Sequence, residues 1–139
     1  MKLSIYLLLF SIISTVNCSN LLVANNKNFD DLVLHSQKYA LVKFYASWCG
    51  HCKTLAPIFE QLADVYETSD EIQIVEIDAD KNNKIGRRYG IDSYPTIKLF
   101  TPNEKKPIDY EGPRNLGAFK EFIYDKSNIY VDQPKAIDD

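Results

Sequence analysis

Cysteine is scarce in this chain. Of three cysteines in 139 residues, only Cys49 and Cys52 stand close together. Structural zinc takes four ligands and one Cys-x-x-Cys pair supplies two; His51 lies between the cysteines and His35 is isolated. No metal site is therefore expected. Covalent haem needs His directly after the second cysteine, and Lys53 stands there, so no cofactor is expected either. Positive charge is also lacking: 16 basic residues face 19 acidic ones, a net charge of −3. With no basic patch to meet phosphates, nucleic acid is excluded as a partner. Lys105-Lys106 and Arg87-Arg88 are too short to alter this and read as a solvated face or turn. Five glycines and six prolines leave no low-complexity tract, and there is no internal repeat. No long heptad pattern is present, so a monomer is expected.

Long apolar runs are missing too. The one extended stretch, Leu3 to Ile13, is broken by Ser4 and Ser11 and falls short of the ~18–20 residues a membrane span needs. Lys2 precedes it and Ser14-Thr15-Val16-Asn17-Cys18 follows, the layout of a secretory signal peptide. A cut after Cys18 puts Val16 and Cys18 at the −3 and −1 positions. Residues 1–18 thus read as a cleaved signal in preference to an anchor or a core element, with no membrane span left after cleavage. The cut also removes Asn17, the one glycosylation sequon, and the odd cysteine. Two cysteines then remain for an oxidising compartment.

Residues 19–126 read as one domain, and 127–139 as a loose tail. Leu21-Leu22-Val23 is a short strand, and Phe29 to Ser36 a helix begun by Asn28. "ALVKFYA", Ala40 to Ala46, is the continuous apolar run of a strand covered on both faces. Leu55, Ile58, Phe59, Leu62, Val65 and Tyr66 then recur at helical spacing. They predict a helix from the second cysteine, kinked at Pro57. Ile72 to Asp78 is a strand, Lys81 to Tyr89 a helix closed by Gly90, and Thr96 to Phe100 a strand. Pro107 to Glu111 reads as its hairpin partner, and Asn115 to Asp125 as a last amphipathic helix. The order implies an α/β fold with a mixed central sheet and helices on both faces.

What remains open for Cys49 and Cys52 is a structural disulfide or a catalytic dithiol. A two-residue spacer closes a tiny loop and so removes little unfolded-state entropy. The pair also sits where a buried strand gives way to a long helix. There the free backbone N–H groups and the positive dipole end favour a thiolate, the nucleophilic form. Position favours the dithiol.

The segment "FYASWCGHCKTLAP" resembles the active-site segment of protein disulfide isomerases, and the likeness runs from about Leu21 to Ile123 through "IDADKNNKIGRRYGIDSYPTIKLF" and "YEGPRN". The resemblance implies a thioredoxin fold with Cys49 as attacking nucleophile and Cys52 as resolving cysteine. It implies clients that are cysteine-containing polypeptides, with an upstream thiol oxidant or glutathione recycling the pair. Gly50-His51 is the isomerase-type spacer, and His51 favours the reduced, anionic form. Isomerase-type sites lie near ~−180 mV and thioredoxin near ~−270 mV, so oxidation or isomerisation is expected ahead of reduction. Pro95 matches the family's cis-proline, and Trp48 and Tyr94 its apolar substrate shelf; the alternative for both is an ordinary partly buried aromatic. Arg114 matches an arginine that approaches the resolving cysteine, with a plain surface arginine as the alternative.

Lys43 departs from the pattern. Most relatives carry a buried acid six residues before the first cysteine, where it moves the resolving cysteine's proton. A lysine there would accept that proton when neutral, stabilise both thiolates when charged, or reach solvent and do neither. The chain also has one domain and ends "KAIDD" without a retrieval signal. The endoplasmic reticulum lumen is the expected compartment, with secretion as the alternative. A thioredoxin-like reductase and a non-catalytic client-binding escort are the competing functions.

Overall fold

A computed structural model describes residues 19–131. The signal segment expected over 1–18 lies outside the described residues. Five strands form one sheet: β1 (Leu22–Ala24), β2 (Tyr39–Tyr45), β3 (Ile72–Asp78), β4 (Thr96–Phe100) and β5 (Ile108–Asp109). Their order across the sheet is β1-β3-β2-β4-β5. β3 runs parallel to β1 and to β2, while β4 is antiparallel to both β2 and β5. The helices are α1 (Gly50–Val65), α2 (Asn83–Arg88) and α3 (Leu116–Ser127). This is the thioredoxin fold, with a mixed sheet as the alternation of elements implied.

β2 is the central strand, and its alternation divides the core. Leu41 turns to a layer formed by Leu55, Phe59 and Leu62 of α1 with Phe119 and Ile123 of α3. Ala40, Val42 and Phe44 turn the other way, against Phe29, Val33, Ile77, Ile85 and Phe100. Successive strand side chains point to opposite faces, so Lys43 falls on the same side as Leu41, beneath α1. Burial of both faces explains why β2 reads as one apolar run in sequence.

Several element ends differ from the sequence reading. The helix expected over Phe29 to Ser36 is a short π-helical turn, Asp30–Leu34, that buries Val33. α1 begins at Gly50, directly after the first cysteine, and continues through Pro57. The hairpin strand shortens to Ile108–Asp109. Gly90 ends the α2 region at φ +62, and its N–H donates to the Arg87 carbonyl at 3.1 Å. Only glycine takes that conformation without a steric cost. α3 extends to Ser127, two residues beyond the expected Asp125. Asn128 then turns left-handed with its N–H on the Tyr124 carbonyl, which aims Ile129 into the layer beneath α1 and α3. Packing thus continues past Ser127, where the sequence suggests a loose tail.

Candidate active site

β2 ends at Tyr45, and the chain turns through Ala46–Trp48 before α1 starts. Cys49 caps that helix. Its backbone is extended (φ −81, ψ 121) and its Sγ accepts the Cys52 N–H at 3.2 Å. The Cys49 N–H is tied back to the Ala46 carbonyl at 3.2 Å. The sulfur thus takes the place an oxygen fills in an ordinary helix cap, satisfying a donor that α1 leaves free. Cys52 lies one turn on, 4% exposed against 7% for Cys49. Both are free thiols, packed with Ala46 and bordered by Tyr45 and Tyr94.

The two thiols are driven apart. Cys49 is held below the ordinary thiol range, chiefly by a hydrogen bond from the Cys52 side chain. The backbone N–H groups of Cys52 and His51 and the Arg114 charge pull the same way, against partial burial. Cys52 is pushed up to about 11, first by burial and then by its hydrogen bond to Cys49, while the Lys43 charge draws it back. Pairs of titratable groups with diverging acidities are what acid–base and nucleophilic sites require.

The loop before β4 closes over the pair. The Tyr94–Pro95 peptide bond is cis, and the Cys49 thiol reaches the Tyr94 carbonyl at 3.5 Å. Trp48 is 67% exposed. Its ring stands edge-on to Tyr94 at 5.8 Å between centroids, and its indole N–H donates to Asp80 Oδ2 at 3.2 Å. Cys49, Trp48, Tyr94 and Pro95 therefore meet at one edge of the domain.

Gly50 and His51 are exposed on the first turn of α1. What His51 gives Cys49 is its backbone N–H. Arg114 is exposed on the approach to α3, and its charge acts on Cys49, whereas the resemblance assigns it to Cys52. Lys43 does not reach open solvent. It is 2% exposed, with Nζ 5.1 Å from the Phe59 ring centroid and 5.2 Å from that of Tyr45. Its partner is Glu76 on β3, at 2.9 Å.

Two neighbours of the site escape a reading of the sequence. Glu76 faces Lys43 only because parallel register sets those two residues side by side. Asp80 follows the end of β3 and meets Trp48 across 32 residues of chain. The alternation of "IQIVEID" puts Glu76 on one face of its strand; nothing in the sequence names the residue opposite. Among the described residues no group of three or more His, Cys, Asp or Glu side chains is placed to hold a metal ion. Among them, too, no helix is long and apolar enough to cross a membrane.

A family model described as Thioredoxin matches residues 20–125. Protein disulfide-isomerase erp38 of Neurospora crassa is 46% identical over 103 residues, covering 73% of this chain and 28% of that protein. Protein disulfide isomerase-like 2-2 of Oryza sativa subsp. japonica is 47% identical over 108 residues, covering 78% and 29%. The chain thus spans less than a third of the length of these two relatives. Among solved structures, the first thioredoxin domain of mouse protein disulfide-isomerase A4 superposes with a TM-score of 0.69 at 28% identity, covering 84% of this chain and 83% of that one. Human ERp44 gives 0.69 at 33% identity, covering 78% and 30%.

Proposed function

The chain belongs to the thioredoxin family, and from that premise we propose that it is a thiol–disulfide oxidoreductase of the protein disulfide isomerase type. One observation carries the reading. Cys49 is an acidified thiol at the N-terminus of α1, with the less acidic Cys52 buried one turn behind it.

The thiolate of Cys49 attacks one sulfur of a client disulfide. A Cys49–client mixed disulfide forms, and the other client sulfur leaves as a thiolate. Cys52 then loses its proton and attacks Cys49, so the Cys49–Cys52 disulfide forms and the second client thiolate departs. The client gains two electrons and the cysteine pair loses them. Run backwards, the same steps give a client its disulfide. Every contact that steadies the Cys49 thiolate stabilises the reduced pair and so raises its readiness to donate a disulfide. The His51 and Cys52 backbone N–H groups and the Arg114 charge all act in this direction. Trp48 and Tyr94 offer the apolar surface for the residues flanking a client cysteine, beside the Tyr94 carbonyl that Cys49 already touches. Clients are cysteine-containing polypeptides of the secretory pathway, and an upstream thiol oxidant or glutathione recycles the pair.

The test is the equilibrium of the protein with glutathione redox buffers, joined to a trapping experiment. A potential near ~−180 mV supports disulfide donation, and one near ~−270 mV makes the protein a reductase. Cys52→Ser should accumulate a mixed disulfide with a scrambled client. If the Cys49→Ser, Cys52→Ser double variant retains full client-folding activity, the domain is an escort and the enzyme reading fails.

A further inference from the structure

The buried pair of Lys43 and Glu76 has no part in the steps above. An ion pair beneath a helix is costly, since the desolvation of both charges offsets most of their attraction. Here the lysine stands at a core position of the central strand. The two residues are register partners on parallel strands, Nζ to Oε2 2.9 Å apart, with the lysine 2% and the glutamate 19% exposed. The same pair lines an open cavity of about 240 Å³ with Cys52, Tyr45 and Glu60. The cavity joins the back of the resolving cysteine to the ion pair and to solvent.

Cys52 must lose its proton before it can attack, and it lines this cavity. The titratable groups around it are Lys43 and Tyr45 from β2, Lys53 and Glu60 from α1, and Glu76 from β3, with Asp78 at the strand's end close enough to act on Tyr45. An ammonium has no lone pair to offer, and a phenol is a poor acceptor. Glu60 is exposed on α1, whereas Glu76 is 19% exposed and held by the buried Lys43. Asp78 does not line the cavity. Glu76 remains, and a carboxylate bound to Lys43 through one oxygen keeps acceptor capacity on the other.

We propose that Glu76, steadied by Lys43, takes the proton that leaves Cys52 during resolution of the mixed disulfide; the inference rests on the oxidoreductase reading. As the Cys52 S–H bond breaks, the proton passes through the cavity to the carboxylate. The sulfur's electron pair attacks Cys49, the Cys49–Cys52 bond forms, and the client sulfur leaves with the electrons of the bond it loses. Glu76 then returns the proton to solvent. The Lys43 charge favours the transient thiolate, and consumption of that thiolate pulls an otherwise uphill transfer forward. Glu76 acts across the cavity and is a positioning and proton-accepting residue, without contact to the client.

Reduced protein is mixed with glutathione disulfide, quenched in acid at intervals, and the Cys49–glutathione adduct is counted by mass. Glu76→Gln is expected to leave formation of the adduct unchanged and to slow its decay about tenfold at pH 7, a modest loss for general base catalysis. Its decay should then climb about tenfold per pH unit, as expected when hydroxide replaces the lost acceptor, where the parent profile is flatter. Glu76→Asp should recover part of the rate. Lys43→Met, Glu76→Leu replaces the pair by apolar packing and keeps the fold, and its decay should stay slow. The proposal is overturned if Glu76→Gln decays with the parent rate and pH profile, or if the double variant restores the rate. Absence of any adduct in the parent protein and in Cys52→Ser overturns the oxidoreductase reading itself.

Discussion

The Cys49 thiol accepts a 3.2 Å hydrogen bond from the backbone N–H of Cys52, so one cysteine caps the helix that buries the other. The cap and the helix dipole act on a single sulfur, and only two residues of chain separate it from a thiol that feels mainly burial. Both acidities should be readable in one titration. In reduced protein, alkylation of Cys49 should reach half its maximum below the ~8.5 of a free cysteine. Cys52 should lag toward about 11. Peptide mapping of iodoacetamide adducts from pH 5 to pH 11 checks this, and a common midpoint near the free-thiol value would contradict it.

The same asymmetry has a stability signature. Folding raises the Cys52 pKa, so the folded state holds this proton more tightly than the unfolded one. Its contribution is complete below the unfolded value of ~8.5 and is lost as pH rises through about 11. Cys49, lowered on folding, contributes in the opposite sense and fades as pH falls. Tyr45, Tyr66 and Tyr89 are also raised and add their own alkaline loss. Comparison of Cys49→Ser with Cys49→Ser, Cys52→Ser cancels the tyrosines. Urea midpoints of the two should diverge between pH 8 and pH 11, with the single variant losing more stability across that range.

Much of this domain is legible in its sequence, for reasons that differ by element. β2 announces itself as an apolar run because both of its faces are covered, while β3 and β4 keep an apolar pattern interrupted by Gln73, Glu76 and Lys98. α1 follows from Leu55, Phe59 and Leu62, which line one face of the helix and are all buried. The short elements are harder. Asp30–Leu34 has a single buried side chain, Val33, too little to fix a helical period. Ile129 reads as tail because the left-handed turn at Asn128 that redirects it has no periodic signal. The cysteine pair is visible as a motif, whereas the Lys43–Glu76 pair depends on strand register, which a local pattern does not specify. Trp48 with Asp80 is hidden in the same way.

Phe59 ties the core to the site. It is fully buried, edge-on to Phe119 at 5.9 Å, and Lys43 Nζ stands 5.1 Å from its centroid. Phe59→Ala should cost about 3–5 kcal/mol, a large part of the 5–15 kcal/mol typical of a domain. Phe59→Leu conserves most of the volume and should cost below ~1.5 kcal/mol. It removes the aromatic face beside the lysine while leaving little empty space in the core. Urea denaturation of the two variants is the check, and equal losses would mean that the ring's bulk contributes little at this position.

Removal of the buried lysine should move a group it does not bond. The Lys43 charge lowers the Cys52 thiol against burial, so Lys43→Met should shift Cys52 alkylation to higher pH and leave the Cys49 midpoint close to its parent value. The variant also strands Glu76, which at 19% exposure recovers part of its hydration. The stability loss should therefore fall below the ~3–5 kcal/mol of a fully buried broken pair, at about 1–3 kcal/mol. A Cys52 midpoint that does not rise would mean the lysine charge is screened from the thiol.

Trp48 should separate client binding from both chemistry and stability. At 67% exposure it adds little to the core, and truncation of such a residue usually stays within about 0.5 kcal/mol. Its surface toward a client is different, because an exposed aromatic held in a fixed orientation is what binding sites use as an anchor. Tyr94 on one side and Asp80 on the other hold the indole in place. Trp48→Ala is expected to raise KM for a polypeptide client about tenfold, roughly 1.4 kcal/mol of binding, with kcat and the Cys49 alkylation midpoint near their parent values. Toward glutathione, which has no apolar side chain to pack on the indole, the variant should react as the parent does. Asp80→Ala should give a weaker version of the same effect, because it frees the ring without removing it. Kinetics with one polypeptide client and with glutathione disulfide distinguish the outcomes: an equal loss toward both would make Trp48 part of the thiol chemistry, and no loss toward either would make it an ordinary surface residue.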